Sequence, residues 1–499
     1  MTQEKQQSNN KSSINKPVRV RFAPSPTGYL HVGGARTAFY NYIFAKKHNG
    51  TFILRVEDTD EARSTKESLI SMIDDMKWLG LKWQEGPQDA ELNSLGDKGP
   101  YLQSERKAIY KEYVQKLLDL GKAYYCFLTE EELDVQRAEA KAAKKPFRPL
   151  SPYRDWPVEK ALEKIAGGET AAVRFRNDYG DTPFTFTDLV RGEVSLPSSM
   201  IGDFVIARST GVPVYNFVCA MDDALMEITH VFRAEEHLNN TLRQLMIMEA
   251  FGFDRPTYGH MSIMLGEDKQ KLSKRHGAAS VGEFKEGGYL PEALTNFIAL
   301  MGWSSPSGEE ILSFDTMVKE FSDDRLNPAS AVFDKEKLKW MNAQYLRALS
   351  PKEFWSHMTG YLDSSWKFPE GEEWVSKACN ALKTSMTTFI DGVELFSMLR
   401  LGDDLSLDDK AKDVLTWDST KTVLKVWIEA LTQTDKEYFD TDDVDTFTAL
   451  VKEKAEVKGK HLFMPLRVAS IGRAHGTEIK DLIPLIPKGE LIRRAETLL

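Results

Sequence analysis

The sequence contains no run of roughly 20 apolar residues, the length that a membrane-spanning helix needs, so we expect no membrane segment. Cysteine is scarce as well: Cys126, Cys219 and Cys379 are the only three, and they lie far apart. This scarcity argues against a disulfide framework and a cysteine-based zinc site, and it favours a reducing, cytoplasmic compartment. Positive charge is also in deficit, since the net charge is −10. A large enzyme can still bind RNA through a local basic face, so net charge excludes no partner.

The first 17 residues are polar and contain no apolar stretch. We expect them to form a disordered tail and not a secretory signal. The whole chain has an ordinary globular composition, with 41% hydrophobic and 28% charged residues. Since 499 residues are too many for one hydrophobic core, we expect roughly three to five domains.

A strand–helix–strand unit opens the folded part of the sequence. Apolar residues alternate with arginines from residue 18 to 22, which predicts a half-buried strand. A loop with two prolines and a glycine follows at 24–28, and helical spacing of apolar residues predicts a helix from Gly33 to about His48. Residues 51–56 form a second apolar run. This βαβ order predicts a parallel sheet with a nucleotide site at the helix N-terminus.

The middle of the chain changes character. Between about residues 123 and 197, a basic helical run, a proline-rich break and short strands follow one another. This pattern indicates a domain inserted between two halves of the sheet. We predict that the sheet resumes with strands near 203–206 and 215–220, and that the chain is mostly helical from about Pro256 onward.

Two short motifs carry candidate chemistry. In the first, HVGG at residues 31–34, glycines let a phosphate approach backbone N–H groups at a helix N-terminus, and the imidazole can donate a hydrogen bond to developing charge. The second, KLSKR at residues 271–275, places three cations in a loop that can close over a triphosphate. Taken singly, each has an ordinary alternative: a turn histidine in the first case and a solvated charged loop in the second.

Together, in this order and setting, the two motifs resemble the signatures of class I aminoacyl-tRNA synthetases, which read HIGH and KMSKS. Segments that resemble glutamyl-tRNA synthetases in particular are residues 21–34, 55–60, 289–294 and 333–338. The resemblance is strong over roughly residues 18–345 and thinner beyond, where residues 465–467 and Gly472 still look like the family's last helical domain. Glutaminyl enzymes are the nearest relatives, but their second signature typically begins with a hydrophobic residue and not with lysine.

The resemblance implies a multidomain α/β plus all-α fold, in which a Rossmann-type parallel-sheet catalytic domain carries an inserted α/β domain and precedes a helical anticodon-binding region. The predicted segments are a disordered tail (1–17), the first half of the catalytic domain (18–122), an inserted acceptor-stem-binding domain (123–200), the second catalytic half (201–255), a stem-contact region with the KLSKR loop (256–340) and the helical anticodon-binding region (341–499).

The family's glutamate pocket maps onto six residues of this sequence. The implied contacts are Arg21, Ala23 and Ser25 on the first strand and loop, Glu57 for the α-ammonium, and Tyr215 and Arg233 for the substrate side chain. Arginine suits a γ-carboxylate because it gives two parallel charge-assisted hydrogen bonds, and it rejects a neutral amide, which would leave its charge unpaired. The alternative for Arg233 is a structural ion pair with Glu235 or Glu236.

For ATP, the resemblance implies binding by His31, Gly33, Gly34, Glu236, the backbone near Met264, and Lys274, with His31, Lys271 and Lys274 as the catalytic side chains. No nucleophilic side chain is needed, because the glutamate α-carboxylate itself attacks phosphorus and forms glutamyl-adenylate. Catalysis is then positioning plus electrostatics, with Mg²⁺ expected on the phosphates. In the second step, a ribose hydroxyl at the 3′ end of tRNA(Glu) accepts the glutamyl group, and the tRNA is expected to bind before activation.

Departures from the family and open alternatives complete the interpretation. Some members carry zinc in the inserted domain, but this sequence has Cys126 alone there, so we expect no zinc. Cys219 stands where some relatives have asparagine, and we interpret it as a small buried residue.

Charging of tRNA(Gln) stays open, and a monomer is the family default. The alternatives are a tRNA-modifying glutamyl transferase without an anticodon domain and a catalytically inactive RNA-binding paralogue. The helical C-terminal region disfavours the first, and intact His31, Lys271 and Lys274 disfavour the second.

Overall fold

The structure is a computed structural model, and it describes residues 16–60, 62–180, 182–198, 201–272, 280–402 and 405–499. The chain divides into two compact units. The first comprises Met1–Glu283 and Leu294–Asp334, and the second comprises Phe284–Ala293 and Lys335–Leu499. The first unit contains both strands and helices, and the described regular elements of the second are helices, so the predicted combination of α/β and all-α parts is confirmed.

The described strands all lie in the first unit. They are β1 (Arg19–Phe22), β2 (Thr51–Leu54), β3 (Gly86–Pro87), β4 (Ser94–Leu95), β5 (Ala123–Cys126), β6 (Ala172–Phe175), β7 (Pro183–Asp188), β8 (Gly192–Pro197), β9 (Phe204–Ala207), β10 (His230–Ala234), β11 (Thr257–Met261), β12 (Met264–Leu265) and β13 (Ala331–Val332).

The α-helices up to residue 320 are α1 (Val32–Lys47), α2 (Lys66–Trp78), α3 (Lys107–Asp119), α4 (Glu130–Ala142), α5 (Val158–Ala166), α6 (Tyr215–Leu225), α7 (Leu238–Phe251), α8 (Val281–Glu286), α9 (Pro291–Leu300) and α10 (Phe314–Glu320). Those that follow are α11 (Lys335–Ala348), α12 (Pro351–Met358), α13 (Glu372–Leu382), α14 (Phe389–Ser397), α15 (Asp409–Leu415), α16 (Asp418–Thr432), α17 (Thr441–Lys454), α18 (Lys460–Ile471), α19 (Ile479–Leu482) and α20 (Lys488–Thr497).

The predicted strand–helix–strand unit at the start of the fold is confirmed. β1 and β2 pair in parallel, from Arg19 opposite Thr51 to Phe22 opposite Leu54. Between them, α1 begins directly after its capping residue, His31, and buries most of its side chains. A helical crossover between parallel strands brings the start of the helix to the carboxyl ends of the strands.

A second set of parallel strands adjoins the first. β10 pairs in parallel with β11, β11 pairs in parallel with the end of β7, and β7 and β8 form an antiparallel hairpin. Thr229, just before β10, donates its N–H to the Arg19 carbonyl at 2.9 Å, and its Oγ1 accepts from the Arg19 N–H at 2.9 Å. These bonds join the start of β10 to the start of β1. The carboxyl ends of β1 and β10 therefore lie at one edge, where Arg21 and Arg233 are found.

Two predicted strands of the resumed parallel sheet were wrong. Residues 215–220 form the first half of α6, an 11-residue helix in which Phe217 to Asp223 are consecutively buried, so a short apolar run did not distinguish helix from strand. The strand predicted at 203–206 exists as β9, but it pairs antiparallel with β6 in a separate three-stranded sheet with β5. The strands that continue the parallel sheet are β10 and β11, and the sequence pattern did not single out either of them.

The second unit is a helical assembly around a large hydrophobic core, with a smaller cluster at Ala411, Val414, Val468 and Ala474. Trp427 of α16, Phe354 of α12 and Phe396 of α14 are fully buried in the large core. Local sequence sets the helix starts: at α12, Ser350 and Glu353 satisfy each other's backbone N–H groups in a reciprocal capping box. Among the described residues of the whole chain, the helices are too short or too polar to cross a membrane.

Candidate active site

His31 stands at the start of α1, and the helix that it caps holds its ring in place. Its backbone is extended (φ −86°, ψ 162°), and its Nδ1 accepts a hydrogen bond from the Gly34 N–H at 3.1 Å. Because Nδ1 is the acceptor, the proton of the neutral ring lies on Nε2. Surrounding protein lowers the pKa of His31; the Glu236 carboxylate opposes this shift and the Lys271 ammonium adds to it. A neutral imidazole at a helix N-terminus can donate to an anion through Nε2.

The two glycines after His31 keep its ring accessible. A Cβ at Gly33 would lie 3.0 Å from the His31 ring and 3.3 Å from the terminal methyl of Met264. A Cβ at Gly34 would lie 2.9 Å from the Leu30 side chain. Larger residues would therefore press on the ring and on Met264, and glycine at both positions lets a phosphate reach the backbone N–H groups.

Lys271 of the cationic motif reaches the same site from a hairpin. The N–H of Gly266 donates to the Gln270 carbonyl and that of Leu272 to the Met264 carbonyl, both at 2.8 Å, so the chain folds back beside Met264. The Lys271 ammonium lies 2.6 Å from a Glu236 carboxylate oxygen, and both side chains are exposed. This contact lowers the pKa of Glu236, to which His31 also contributes. His31, Glu236 and Lys271 therefore form one electrostatic group.

The chain returns to His31 after the cationic motif. The Val281 N–H donates to the Leu30 carbonyl at 2.8 Å, and Ser280 forms an antiparallel bridge with His31. Residues 273–279 lie outside the described residues, and the prediction for Lys274 falls among them. On the two sides of this segment, Lys271 acts electrostatically on His31 and Ser280 is bridged to it.

Arg21, near the end of β1, is held by a carboxylate from α6. Its Nε and Nη2 donate to the two oxygens of Asp223 at 3.0 and 3.2 Å. Arg55 donates to the same carboxylate at 2.6 Å and to Glu57 at 3.1 Å. Burial alone would raise the pKa of Asp223, but the two guanidinium groups hold it well below its usual value. Arg21 is therefore an arginine with an internal counter-charge, and among the described residues its Nη1 has no hydrogen-bond partner.

Glu57 and Tyr215 both lie within the electrostatic reach of Arg21, and Tyr215 also lies within that of Arg233. Burial raises the pKa of Glu57, although Arg55 and Arg21 oppose the shift. Burial also raises the pKa of Tyr215, as do Cys219 and Glu57, while Arg233 and Arg21 lower it. The Tyr215 hydroxyl, which stays protonated, contacts His237 Nδ1 at 3.1 Å. The structure thus brings four of the six predicted glutamate contacts together.

Arg233, near the end of β10, is the other arginine of the pocket. Its Nε lies 3.1 Å from His260 Nε2, its Nη1 lies 2.9 Å from Gln244 Oε1, and its Nη2 lies 2.7 Å from Thr241 Oγ1. Its guanidinium carbon lies 4.9 Å from the centre of the Tyr258 ring. All of these partners are uncharged, so the guanidinium keeps its full positive charge in a buried position.

The alternative in which Arg233 pairs with Glu235 or Glu236 is wrong. Glu235 contacts Arg191 and accepts the Ile263 N–H at 3.0 Å, and Glu236 pairs with Lys271. Among the described residues, no carboxylate lies within ion-pair distance of Arg233.

The remaining pocket predictions concern small residues. Ala23 is half-buried and Ser25 is exposed, in the loop whose Pro24 carbonyl accepts the Glu57 N–H at 2.9 Å. Cys219 is fully buried, as expected, and burial raises the pKa of its thiol to about 12. A neutral thiol in that position contributes volume and no charge to the pocket wall.

Sequence reasoning did not find Asp223, His260 or Asp188. The adjacent acidic residues Asp222 and Asp223 inside an apolar helical run were a usable signal, since buried carboxylates need cationic partners. No local pattern marks the other two, because His260 contacts a side chain 27 positions away and Asp188 one 72 positions away.

Two known families match the chain. The description "tRNA synthetases class I (E and Q), catalytic domain" matches residues 17–340, and "Anticodon binding domain" matches residues 344–499. The first match covers more than half of the chain and contains both motifs and the pocket. The chain therefore belongs to the class I tRNA synthetases, and within that class to the family designated E and Q.

Sequence relatives and solved structures agree with this membership. The chain is 53% identical over 487 residues to a Glutamate–tRNA ligase of Bdellovibrio bacteriovorus, covering 97% of this chain and 98% of that one. It is 42% identical over 493 residues to a Glutamate–tRNA ligase of Halalkalibacterium halodurans, covering 97% and 99%. The crystal structure of a glutamate tRNA ligase from Elizabethkingia meningosepticum in complex with its amino acid has a TM-score of 0.84 at 33% identity, covering 97% of this chain and 99% of that one.

Proposed function

We propose that this protein joins L-glutamate to the 3′ end of tRNA(Glu) in an ATP-dependent reaction that passes through glutamyl-adenylate and releases AMP and pyrophosphate. The observation that carries the substrate assignment is Arg233, which is 4% exposed and has uncharged partners. A buried guanidinium of this kind gains from a γ-carboxylate, which would supply the missing counter-charge. A glutamine amide would leave that charge unpaired.

The other pocket residues define the rest of the amino acid. Glu57, a buried carboxyl with a raised pKa, would ionise fully beside the α-ammonium of glutamate. Nη1 of Arg21, the Tyr215 hydroxyl and the loop at Ala23 and Ser25 would complete the contacts. The amino acid would then lie with its γ-carboxylate at Arg233 and its ammonium at Glu57.

Activation of the α-carboxylate needs no protein nucleophile. A carboxylate oxygen of glutamate attacks the α-phosphorus of ATP, the bond to the β-phosphate oxygen breaks, and pyrophosphate leaves. His31 Nε2, the backbone at Gly33 and Gly34, Glu236 and the backbone near Met264 would bind ATP, and Lys271 and Lys274 would stabilise the charge on the phosphates. A ribose hydroxyl of the tRNA then attacks the anhydride carbonyl and AMP leaves.

Mg²⁺ is proposed to arrive with ATP. Within the described residues, no group of three or more histidine, cysteine, aspartate or glutamate side chains could hold a metal ion. The phosphates and water would therefore supply most ligands of the ion, which fits the reluctance of Mg²⁺ to lose its water. The ion would add positive charge at the phosphates; the protein residues position the reactants.

The finer assignments concern tRNA and assembly. We propose that residues 123–200 contact the acceptor stem and that residues 341–499 contact the anticodon. We also propose that the enzyme works as a cytoplasmic monomer, and three buried, unpaired cysteines support a reducing compartment. Whether tRNA(Gln) is a second acceptor is to be decided by experiment.

The test is tRNA-dependent ATP–pyrophosphate exchange with the purified protein. We expect exchange with glutamate when tRNA(Glu) is present and at least about 100-fold less with glutamine. Aminoacylation of separately purified tRNA(Glu) and tRNA(Gln) with labelled glutamate defines the acceptor range. Equal exchange with both amino acids, or no exchange with glutamate, would refute the proposal.

A further inference from the structure

Behind Arg233 lies a row of side chains that the proposed reaction does not use. Arg233 on β10 and His260 on β11 are register partners on neighbouring parallel strands. Asp188 ends β7, the next strand of the sheet, opposite Tyr258. The three side chains are buried, with residue exposures of 4%, 0% and 2%. The sheet therefore aligns a guanidinium, an imidazole and a carboxylate across three strands.

Hydrogen bonds define the protonation of this row. His260 Nδ1 lies 2.6 Å from Asp188 Oδ2, and an ionised carboxylate can only accept, so Nδ1 carries the proton. Burial lowers the pKa of His260, although the Asp188 hydrogen bond opposes the shift, and the ring is neutral at physiological pH. In this tautomer Nε2 has a lone pair, which accepts the Arg233 Nε–H at 3.1 Å.

The backbone fixes the carboxylate in turn. Asp188 Oδ1 accepts the N–H groups of Val190 and Arg191, both at 2.9 Å, in the turn between β7 and β8. The His260 N–H lies 3.1 Å from each carboxylate oxygen. Burial alone would raise the pKa of Asp188, but these bonds and the one to the His260 ring lower it. The carboxylate is therefore ionised and immobile.

The row leaves one end of the guanidinium available. His260 and Thr241 occupy Nε and Nη2, and Gln244 accepts from Nη1. A guanidinium has five N–H groups: three are used in these bonds, and a fourth, on Nη2, makes a long contact of 3.5 Å with the His237 carbonyl. Among the described residues, the fifth N–H, on Nη1, has no acceptor. A carboxylate that took this N–H and replaced the long His237 contact would form a parallel pair of hydrogen bonds with Nη1 and Nη2.

We propose that Asp188 and His260 are positioning residues for glutamate specificity: Asp188 fixes the tautomer of His260, and His260 turns Arg233 toward the γ-carboxylate. This inference rests on the proposed role of Arg233. In the opposite tautomer, Thr241 Oγ1, 3.0 Å from Nε2, would accept the Nε2–H, and the Arg233 Nε–H would lose its acceptor and turn the guanidinium away. Asp188 also places a negative charge one residue behind the guanidinium, which stabilises the buried cation without occupying its substrate-binding end.

The kinetic test uses one variant that changes the tautomer of His260 and one that removes its Nε2 acceptor. In Asp188→Asn, an amide donor faces Nδ1 and favours the wrong tautomer. In His260→Asn, the group at the Nε2 position is lost. We expect each to raise the KM for glutamate about ten-fold or more, with kcat changed less than about three-fold and the KM for ATP unchanged.

The matched control is His260→Gln, whose side-chain oxygen can replace Nε2 as the acceptor and which has no tautomer. We expect its KM for glutamate to stay within about three-fold of the parent. Adding this change to Asp188→Asn should restore the KM, because the amide can no longer reverse a tautomer. Failure of this rescue, or a normal KM in Asp188→Asn and His260→Asn, would overturn the inference. Such a result in a parent that activates glutamate would leave the proposed function intact, whereas a parent that does not activate glutamate would refute that function.

A second readout, the protonation of the two ring nitrogens of His260, does not depend on enzyme activity. Nitrogen NMR of ¹⁵N-histidine-labelled protein distinguishes protonated from unprotonated ring nitrogens, and the signal that disappears in His260→Gln identifies His260 among the nine histidines. We expect the proton on Nδ1 in the parent and on Nε2 in Asp188→Asn. A proton on Nε2 in the parent would contradict the proposed relay.

Discussion

Two buried arginines of the same pocket differ in what neutralises them. Arg21 shares the Asp223 carboxylate with Arg55, at distances of 3.0 and 2.6 Å. Arg233 is equally buried, but it contacts an imidazole, an amide and a hydroxyl. Burial and residue type are the same, so the difference lies in the partner alone.

This difference separates a structural cation from a binding cation. A buried ion pair is satisfied within the protein, and removing one partner leaves an uncompensated charge that destabilises the fold. A buried cation with neutral partners is held at a cost, and it gains when an anion binds. The pocket therefore has one arginine whose charge is already neutralised within the protein and one whose charge is left for the substrate to neutralise.

The largest expected effect is on Arg233. Arg233→Gln removes the charge that the γ-carboxylate would neutralise, so kcat/KM for glutamate should fall on the order of 1,000-fold, or about 4 kcal/mol. The KM for ATP should be unchanged, and the melting temperature should stay equal or rise because a buried unpaired charge is gone. Exchange kinetics and thermal unfolding measure the two quantities. A destabilised protein with normal glutamate kinetics would reverse the comparison.

The second effect is on Arg21. Arg21→Gln leaves Asp223 with Arg55 as its one close cation, and the free energy of unfolding should fall by about 3 kcal/mol. The matched control is Arg19→Gln on the same strand, whose ion pair with Glu85 is less buried and should contribute about 1 kcal/mol. Urea titration of both variants decides the point. Equal losses would mean that the burial of the Asp223 pair adds nothing.

The third prediction extends the comparison to the cations of the loop. Lys274→Ala should slow glutamate activation about 100-fold, because one stabilising charge on the leaving phosphates is lost. Affinity for tRNA should remain nearly unchanged. Lys269→Ala, in the exposed turn of the preceding hairpin, is the control and should have little effect. Equal losses of activation and tRNA affinity in Lys274→Ala would show that its role is different.

The smallest effect concerns His237, which lies between Tyr215 and Arg233. Burial and the neighbouring Arg233 lower its pKa to about 4, against about 6.5 in the unfolded chain. The unfolded state therefore binds more protons between these values, and the free energy of unfolding falls as pH drops from about 6.5 to 4, by at most about 1.4 kcal/mol per pH unit. His237→Gln should show a smaller drop in that window. An unchanged pH dependence would show that His237 titrates normally.

Sequence reasoning reached the parts of the site that are local in the chain. A few consecutive residues are enough to indicate the glycine turn at His31, the strand–helix–strand order and the lysine-rich loop. The separation of Arg233 from Glu235 and Glu236 could not be derived in this way, because it depends on Arg191 and Lys271, which arrive from other elements. Pairing of strands in space decides such partners.

The parts that were wrong or missed share one physical cause. Five of the six residues from Tyr215 to Ala220 are apolar or aromatic, and a buried helix and a buried strand have the same composition over six residues. The contact between Asp188 and His260 was not predicted for a related reason, because it depends on the register of β7, β10 and β11. Local periodicity contains no information on that register.

The most direct measurement is a crystal structure of this protein with glutamate bound. The account predicts that the γ-carboxylate lies within hydrogen-bond distance of Arg233 Nη1 and Nη2, with the ammonium beside Glu57 and the Arg21–Asp223 pair unchanged. Glutamate bound in the reverse orientation, or with its γ-carboxylate in place of Asp223 at Arg21, would contradict the distinction between the two arginines.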